Sequence, residues 1–359
     1  MMQQPSVPLG RGMVYPVRGR AAAHPRQPID YSGGVQTGPD ILATGVAVRP
    51  SFLIVGTGRC GSTLLQAMLM SHPRIRVPPE TQYFQFMDPV ALGHPDPLGD
   101  ADVGPYLRDL EALHGWRILR AGGLESRYAE AVQGGLRSAR DQFNWVCDRL
   151  SADQSGDLLG EKTPQHWSYL ERILSLEPHL KVIHIHRDPR DVVAGLMTMR
   201  WWKGRSIRRT ARYWRKALLA AETWQKRLGP NQHRVVRYET LVEHPEPVLR
   251  DLAGFLDLEF DPAMLDQRRA AGTAFRPGED DHKGLTRQAV TTERRGRYRR
   301  TLSPFQVRVV EGAAGRELMA RHGYEPDPQV PRPAWSVLDP AAARIGENLG
   351  LPAACRVRG

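Results

Sequence analysis

The stretch Phe52–Leu65, FLIVGTGRCGSTLL, constrains this chain more than any other part of it. Four apolar residues, Phe52 to Val55, predict a short buried strand. A glycine-rich turn follows, and then an apolar run that can open a helix. A strand–glycine loop–helix unit aims several backbone N–H groups and a helix N-terminus at one point, which cradles a phosphate-like anion. Gly56 to Gly61, with Ser62 and Thr63 after them, keep the phosphate-loop spacing except at one residue: Ser62 stands where an ATPase or GTPase places lysine. The cation of this loop is Arg59, so the usual triphosphate chemistry is not expected. Cys60 reads as a small residue suited to a tight turn rather than as a reactive thiol.

The 359 residues suffice for one α/β domain of roughly 250 residues with tails, or for two smaller domains. A net charge of +11 favours anionic partners, although an arginine-rich solvated surface accounts for it as well. Cys60, Cys147 and Cys355 are odd in number and far apart, which argues against a disulfide framework and against a zinc site. No apolar run approaches the ~18 residues of a membrane helix. The start lacks the apolar stretch of a signal peptide. A cytoplasmic location is the default expectation.

Residues 1–47, rich in proline, glycine and arginine, read as a disordered basic tail. The domain then spans 48–325, and 326–359 read as a C-terminal tail. After the loop, apolar Leu64, Leu65, Met68 and Leu69 predict a helix over 62–71. Pro78-Pro79-Glu80-Thr81 holds Glu80 in stiff backbone where a second strand ends. Residues 93–155 read as a helical cap insertion, with helices at 104–113, 124–139 and 140–151; His114 and Trp116 there are read as packing residues. Leu158–Lys162 and Lys181–His186 predict strands, and a helix is expected from Pro164 to Ile173. Asp188 is placed to cap the next helix, with Pro189 in its first turn and Arg187 at a strand end. A long amphipathic helix over 206–228, a strand over 233–238 and helices over 247–256 and 303–322 complete the pattern. Trp214 and Trp224 are assigned to the core. Strands alternating with helices over 50–260 predict an α/β fold, a parallel sheet flanked by helices, with ligands at the strands' C-terminal edge.

These residues resemble the sulfotransferase family that uses 3′-phosphoadenylyl sulfate (PAPS). The likeness covers roughly 50–325 and is most specific at Gly58-Arg59-Cys60-Gly61-Ser62-Thr63-Leu64-Leu65 and at Arg187-Asp188-Pro189-Arg190-Asp191. It is similar in pattern to the tyrosylprotein sulfotransferase branch and its bacterial relatives, in which a glutamate before threonine follows the loop arginine by 21 positions, as Glu80 follows Arg59. Glu161-Lys162-Thr163-Pro164, Tyr238-Glu239, Lys283-Gly284 and Gly296-Arg297-Tyr298 continue the likeness. The resemblance implies the P-loop-containing nucleoside triphosphate hydrolase-like fold of sulfotransferases, with 48–325 as the sulfotransferase domain. One departure stands out: the family usually has a serine for the 3′-phosphate eight residues after the arginine, and this chain has Gly195. The membrane anchor and lumenal cysteines of the eukaryotic tyrosine-modifying enzymes are also not seen.

Sulfuryl transfer, like phosphoryl transfer, depends on positioning and charge stabilisation. The loop N–H groups and the Ser62 and Thr63 hydroxyls can hold the departing 5′-phosphate, with Arg59 and Lys162 on its oxygens. An attacking phenol, with a pKa near ~10, needs a base, and Glu80 is the candidate. The expected catalytic set is thus Arg59, Glu80 and Lys162. The expected donor-binding set is Gly58, Arg59, Cys60, Gly61, Ser62, Thr63, Leu64, Arg187, Tyr238, Lys283 and Arg297. PAPS is the expected co-substrate, leaving as 3′-phosphoadenosine phosphate (PAP), with no metal. The acceptor stays open among small molecule, carbohydrate, lipid and peptide tyrosine, and no nucleic-acid partner is expected. Two alternatives remain: a small-molecule or nucleotide kinase, which would want lysine at 62 and a magnesium-binding carboxylate, and a non-catalytic nucleic-acid-binding protein using the basic run Arg294–Arg300.

Overall fold

β1 (Phe52–Gly56) is buried at every position, as a strand is when it has neighbours on both sides and helices on both faces. The structure is a computed structural model that describes residues 47–112, 116–199, 202, 205–270, 273, 288 and 290–330. Residues 1–46 of the expected N-terminal tail, 331–359 of the C-terminal tail, His114 and Lys283 lie outside the described residues. β1 sits between β3 (Leu158–Lys162) and β4 (Lys181–His186), and β2 (Ile75–Arg76) and β5 (His233–Arg237) are outermost, in the order β2-β3-β1-β4-β5. All four pairings are parallel, with Ile54 opposite Lys162 and Gly56 opposite Ile185. The parallel sheet flanked by helices expected from the alternating pattern is therefore present.

Helix α1 (Ser62–Met70) follows the glycine turn. Between β2 and β3 come α2 (Tyr83–Phe86), α3 (Asp88–Ala91), α4 (Asp100–Ala112), α5 (Trp116–Ala121), α6 (Glu125–Gln133) and α7 (Ala139–Arg149). A 3-10 turn, Pro164–Tyr169, leads from β3 into α8 (Leu170–Leu176), and α9 (Pro189–Met197) and α10 (Ile207–Leu228) lie between β4 and β5. After β5 come α11 (Tyr238–Glu243), α12 (Pro245–Phe255), α13 (Tyr298–Thr301), α14 (Pro304–Ala314) and α15 (Arg316–Arg321). On one face of the sheet Ile54, Leu65, Met68, Ile183, Leu249 and Leu252 form one core. On the other, Val192, Leu196, Trp214, Leu218, Leu318 and Tyr324 form a second. α10 buries Ala211, Trp214, Leu218, Ala221 and Trp224, the helical spacing of an amphipathic face. No helix among the described residues is long and apolar enough to cross a membrane.

Several boundaries differ from the periodicity, Tyr238 among them, which opens α11 instead of ending the strand. The helix expected over 303–322 is two helices, broken at Gly315. The one expected over 124–139 stops at Gln133 before Gly134-Gly135, and α7 restarts behind Ser138, whose side chain accepts from Asp141 N. The helix expected from Pro164 opens as a 3-10 turn before α8. α7 docks on the β2–β3 side, where Arg76 donates to Asp148 at 2.6 Å and to Ser151 at 2.9 Å. Trp116 lies edge-to-face against Tyr128 within that helical layer. Beyond residue 325, Asp327 is buried and accepts a 2.7 Å bond from Tyr298 Oη.

Candidate active site

The C-terminal ends of all five strands carry the residues singled out from the sequence. Gly56 ends β1 and opens the loop, Lys162 ends β3, Arg187 follows β4 and Tyr238 follows β5. Glu80 lies four residues past β2. This is the edge at which parallel sheets bind ligands.

The loop turns sharply, with Arg59 at φ 68° and Gly61 at φ 99°. Gly61 is needed twice: for its left-handed backbone, and because a Cβ there would stand 2.3 Å from the Tyr238 ring. α1 opens with no side-chain cap and no acidic residue in its first turn, so its N–H groups and dipole suit an anion. Cys60 is fully buried, and burial pushes its thiol pKa up; it packs as a small residue and is protonated at neutral pH.

The Tyr238 ring that covers Gly61 is also stacked by Arg187, whose guanidinium carbon lies 4.3 Å from the ring centroid. Trp214 Nε1 donates to the Arg187 carbonyl at 2.8 Å, so this core tryptophan also fixes the end of β4. Asp188 caps α9 as expected, accepting from Arg190 N at 2.8 Å. Asp191, in the first turn of α9, accepts from Gly296 N and Tyr298 N, both at 2.9 Å. Its Oδ2 lies 3.3 Å from an Arg187 nitrogen, and Arg187 also donates to the Arg294 carbonyl. One buried carboxylate thus pulls the basic 294–298 turn onto the end of β4. Arg59 belongs to the same group. A Cβ on Gly195 would meet Arg59 Cβ at 3.4 Å and Nε at 3.5 Å, so the arginine lies along the space the glycine leaves. Burial, then the charges of Arg187, Arg294 and Arg297, hold Arg59 down to about 10, still fully protonated at pH 7.

The other half of the edge is built from carboxylates. Lys162, fully buried, donates to Glu80 Oε1 at 2.7 Å. Beside it Glu161, also fully buried, accepts from Thr81 Oγ1 at 2.8 Å and Thr163 Oγ1 at 2.7 Å, and its Oε2 lies 3.0 Å from His166 Nδ1. Burial pushes the Glu161 carboxyl up, but His166 and the two hydroxyls outweigh it, and the net direction is down.

The structure brings Glu80 and Lys162 into contact and gathers Arg59, Arg187, Arg294 and Arg297 into a second group beside Tyr238 and Gly61. Arg59 lies against the space at Gly195, and Glu80 accepts from Lys162. The left-handed turn at Arg59 sets part of its side chain beside Gly195 of α9. Gly58 lies 3.6 Å, measured from an added Cβ, from Leu196 of α9, and Ser62, Thr63 and Leu64 form the first turn of α1. Sequence reasoning assigned no role to Arg294, Asp191 or Glu161. Arg294 lay inside a basic run and Asp191 inside a quoted motif; neither signal says which member of the run or motif faces the site.

A family model described as "Sulfotransferase family" matches residues 50–262, more than half of the chain. A protein-tyrosine sulfotransferase of Drosophila melanogaster is 25% identical over 222 residues, 60% of this chain and 40% of that protein. The nodulation protein NoeE of Sinorhizobium fredii is 25% identical over 343 residues, 84% of this chain and 75% of that one. The chain therefore spans well under half of the fly protein's length. Among solved structures, the sulfotransferase domain from the curacin biosynthetic pathway superposes with a TM-score of 0.57 at 20% identity, covering 78% of this chain and all of that domain, a likeness of fold. With the phosphate-type loop at the end of β1 and the family match running from β1 through α12, the chain belongs to the sulfotransferase family.

Proposed function

We propose that the chain moves a sulfuryl group from PAPS to a hydroxyl or amine acceptor. The observation that carries this reading is the 2.7 Å contact between Lys162 and Glu80, on the strand adjoining the phosphate-type loop. A cation and a carboxylate beside an anion cradle are what in-line transfer between two oxygens needs. The N–H groups of residues 60–64 and the Ser62 and Thr63 hydroxyls hold the donor's 5′-phosphate. Arg187, Arg294 and Arg297 hold its 3′-phosphate, and Lys283 is a further proposed donor-binding residue; crowded guanidinium groups favour a multiply charged anion. Arg59 reaches from the loop into that group and serves the phosphates from there, in the room given by Gly195.

As the donor binds, Lys162 exchanges Glu80 for the 5′-phosphate oxygens and frees the carboxylate. The acceptor's proton passes to Glu80 while its oxygen or nitrogen bonds to sulfur. The bond from sulfur to the 5′-phosphate oxygen breaks, and its electron pair leaves on PAP, where Lys162 meets the charge. The relatives' names include protein-tyrosine sulfotransferases and a nodulation protein, so phenols, sugars, lipids and tyrosine peptides form the acceptor panel.

A thermal-shift titration tests the reading. PAP at a hundredfold its Kd should stabilise the fold by about 2.7 kcal/mol, and ATP–Mg²⁺ should shift it little. Stabilisation by ATP–Mg²⁺ alone would turn the assignment towards a kinase.

A further inference from the structure

We propose that Glu161 is a positioning residue for the transfer, holding Glu80 against Lys162 through Thr81, given Glu80 as the base proposed above. Glu161 and Lys162 are the last two residues of β3, and Thr81 and Glu80 are neighbours on the segment after β2. They meet as two adjacent pairs: Glu161 with Thr81 at 2.8 Å, Lys162 with Glu80 at 2.7 Å. Successive strand residues face opposite ways, so β3 grips the segment through both of its terminal side chains.

The grip extends in both directions. Thr163 Oγ1 donates to Glu161 and accepts from Gln82 N at 3.1 Å, and Thr81 Oγ1 accepts from Tyr83 N at 3.3 Å. Residues 81, 82 and 83 are all tied to the end of β3 by hydroxyls that converge on one carboxylate. Pro78-Pro79 stiffens the chain on the other side of Glu80. Glu80 itself is the partly exposed member, its side chain 15% accessible, in contact with a lysine of 0%. A fully buried carboxylate is an expensive way to fill a core, since an apolar side chain there costs less desolvation. What a carboxylate adds is the capacity to accept from two hydroxyls and face an imidazole at once, and those partners fix the backbone on which Glu80 sits. His166 Nε2 is buried without a hydrogen-bond partner, so the His166 ring is held by the Glu161 contact and by the Phe84 ring, 5.2 Å away edge-to-face.

The deciding variant is Thr81→Val, isosteric and cut off from Glu161, with Thr81→Ser as the rescue. Turnover is read as PAP released from PAPS with 4-nitrophenol as acceptor, donor binding as the PAP thermal shift, and geometry from crystals of each variant. Thr81→Val should lower kcat about 10- to 100-fold, as misplacing a reacting group does. The PAPS KM and the PAP shift should stay near wild type, Glu80 should leave Lys162 in the crystal, and Thr81→Ser should restore both contact and rate. A Thr81→Val protein with wild-type kcat and the Glu80–Lys162 contact intact overturns the positioning role, as does a loss of kcat and PAP affinity together that serine does not rescue. Glu80→Gln, run in parallel, separates the two ideas. An active Glu80→Gln enzyme removes the base and this role with it, whereas an inactive one beside an undisturbed Thr81→Val enzyme overturns the positioning role alone.

Discussion

At the β2–β3 end of the sheet, charge meets opposite charge or hydroxyl: Glu80 with Lys162, and Glu161 with Thr81, Thr163 and His166. At the β4–β5 end, guanidinium groups stand beside one another: burial and the charges of Arg187, Arg294 and Arg297 hold Arg59 down, and burial with the charges of Arg297 and Arg187 lowers Arg294. The first half is closed by contacts among its own side chains. In the second, Asp191 meets Arg187 and the 296–298 backbone and Tyr238 stacks on Arg187; in the proposed reading the donor's 3′-phosphate completes it. On the proposed reading, catalytic geometry and donor affinity are therefore separable by mutation.

The widest separation is expected at Glu80. Glu80→Gln should lower kcat by about 10²–10⁴, the usual weight of a general base, while the thermal shift given by PAP is retained. A loss of PAP binding in the same variant would break the division into halves. The converse is expected at Arg294: Arg294→Ala should weaken PAP by roughly 1.5–3 kcal/mol, the range for hydrogen bonds to charged groups, measured by calorimetry. The binding that remains should be less sensitive to salt, and kcat at saturating donor should be little changed.

A smaller effect distinguishes the halves by pH. His184 and His186 in β4 and His233 in β5 are buried beneath the arginine half. Burial, with neighbouring His322 and Arg237, holds His186 down to about 3; burial alone holds His233 down to about 4; and burial with the adjacent histidines keeps His184 well below the usual range. These rings are neutral in the fold and protonated in the unfolded chain once the pH falls below about 6.5. The unfolded state then binds more protons, and stability falls with pH at about 1.4 kcal/mol per pH unit per histidine. Glu161 is also shifted down, so its contribution, present above the ordinary carboxylate pKa, is lost as well when the pH falls, but only in a lower window than that of the histidines. Melting curves should show Tm falling from about pH 6.5, and His233→Gln should flatten that slope between about pH 6.5 and 4. An unchanged slope would remove the histidines as its cause.

Much of the fold is legible because its signals are local. The apolar run at 52–55, the alternation KVIHIH at 181–186 and the spacing of Trp214, Leu218 and Trp224 each report burial along a single element. Asp188 and Pro189 mark a helix start within two residues. Local signals fail where an element is shaped by its neighbours: the 3-10 turn at Pro164–Tyr169, placed where Thr163 and His166 both reach Glu161, has no periodicity of its own. The site is legible to the same degree. Each strand end could be named, but not which side chains would meet across it.

The order of residues by itself determined that a glycine turn would follow a buried strand, that Arg59 rather than a lysine would be its cation, and that Glu80 would stand in stiff backbone behind two prolines. These follow from backbone preferences and apolar periodicity, which act over a few residues. Only the tertiary structure decided that Glu80 meets Lys162 across 82 residues of chain, that Asp191 draws the turn at 294–298 to the site across more than a hundred, and that Arg59 lies along Gly195. Contacts of that kind depend on strand order and on the direction in which each side chain leaves its backbone, and both are set when the sheet closes.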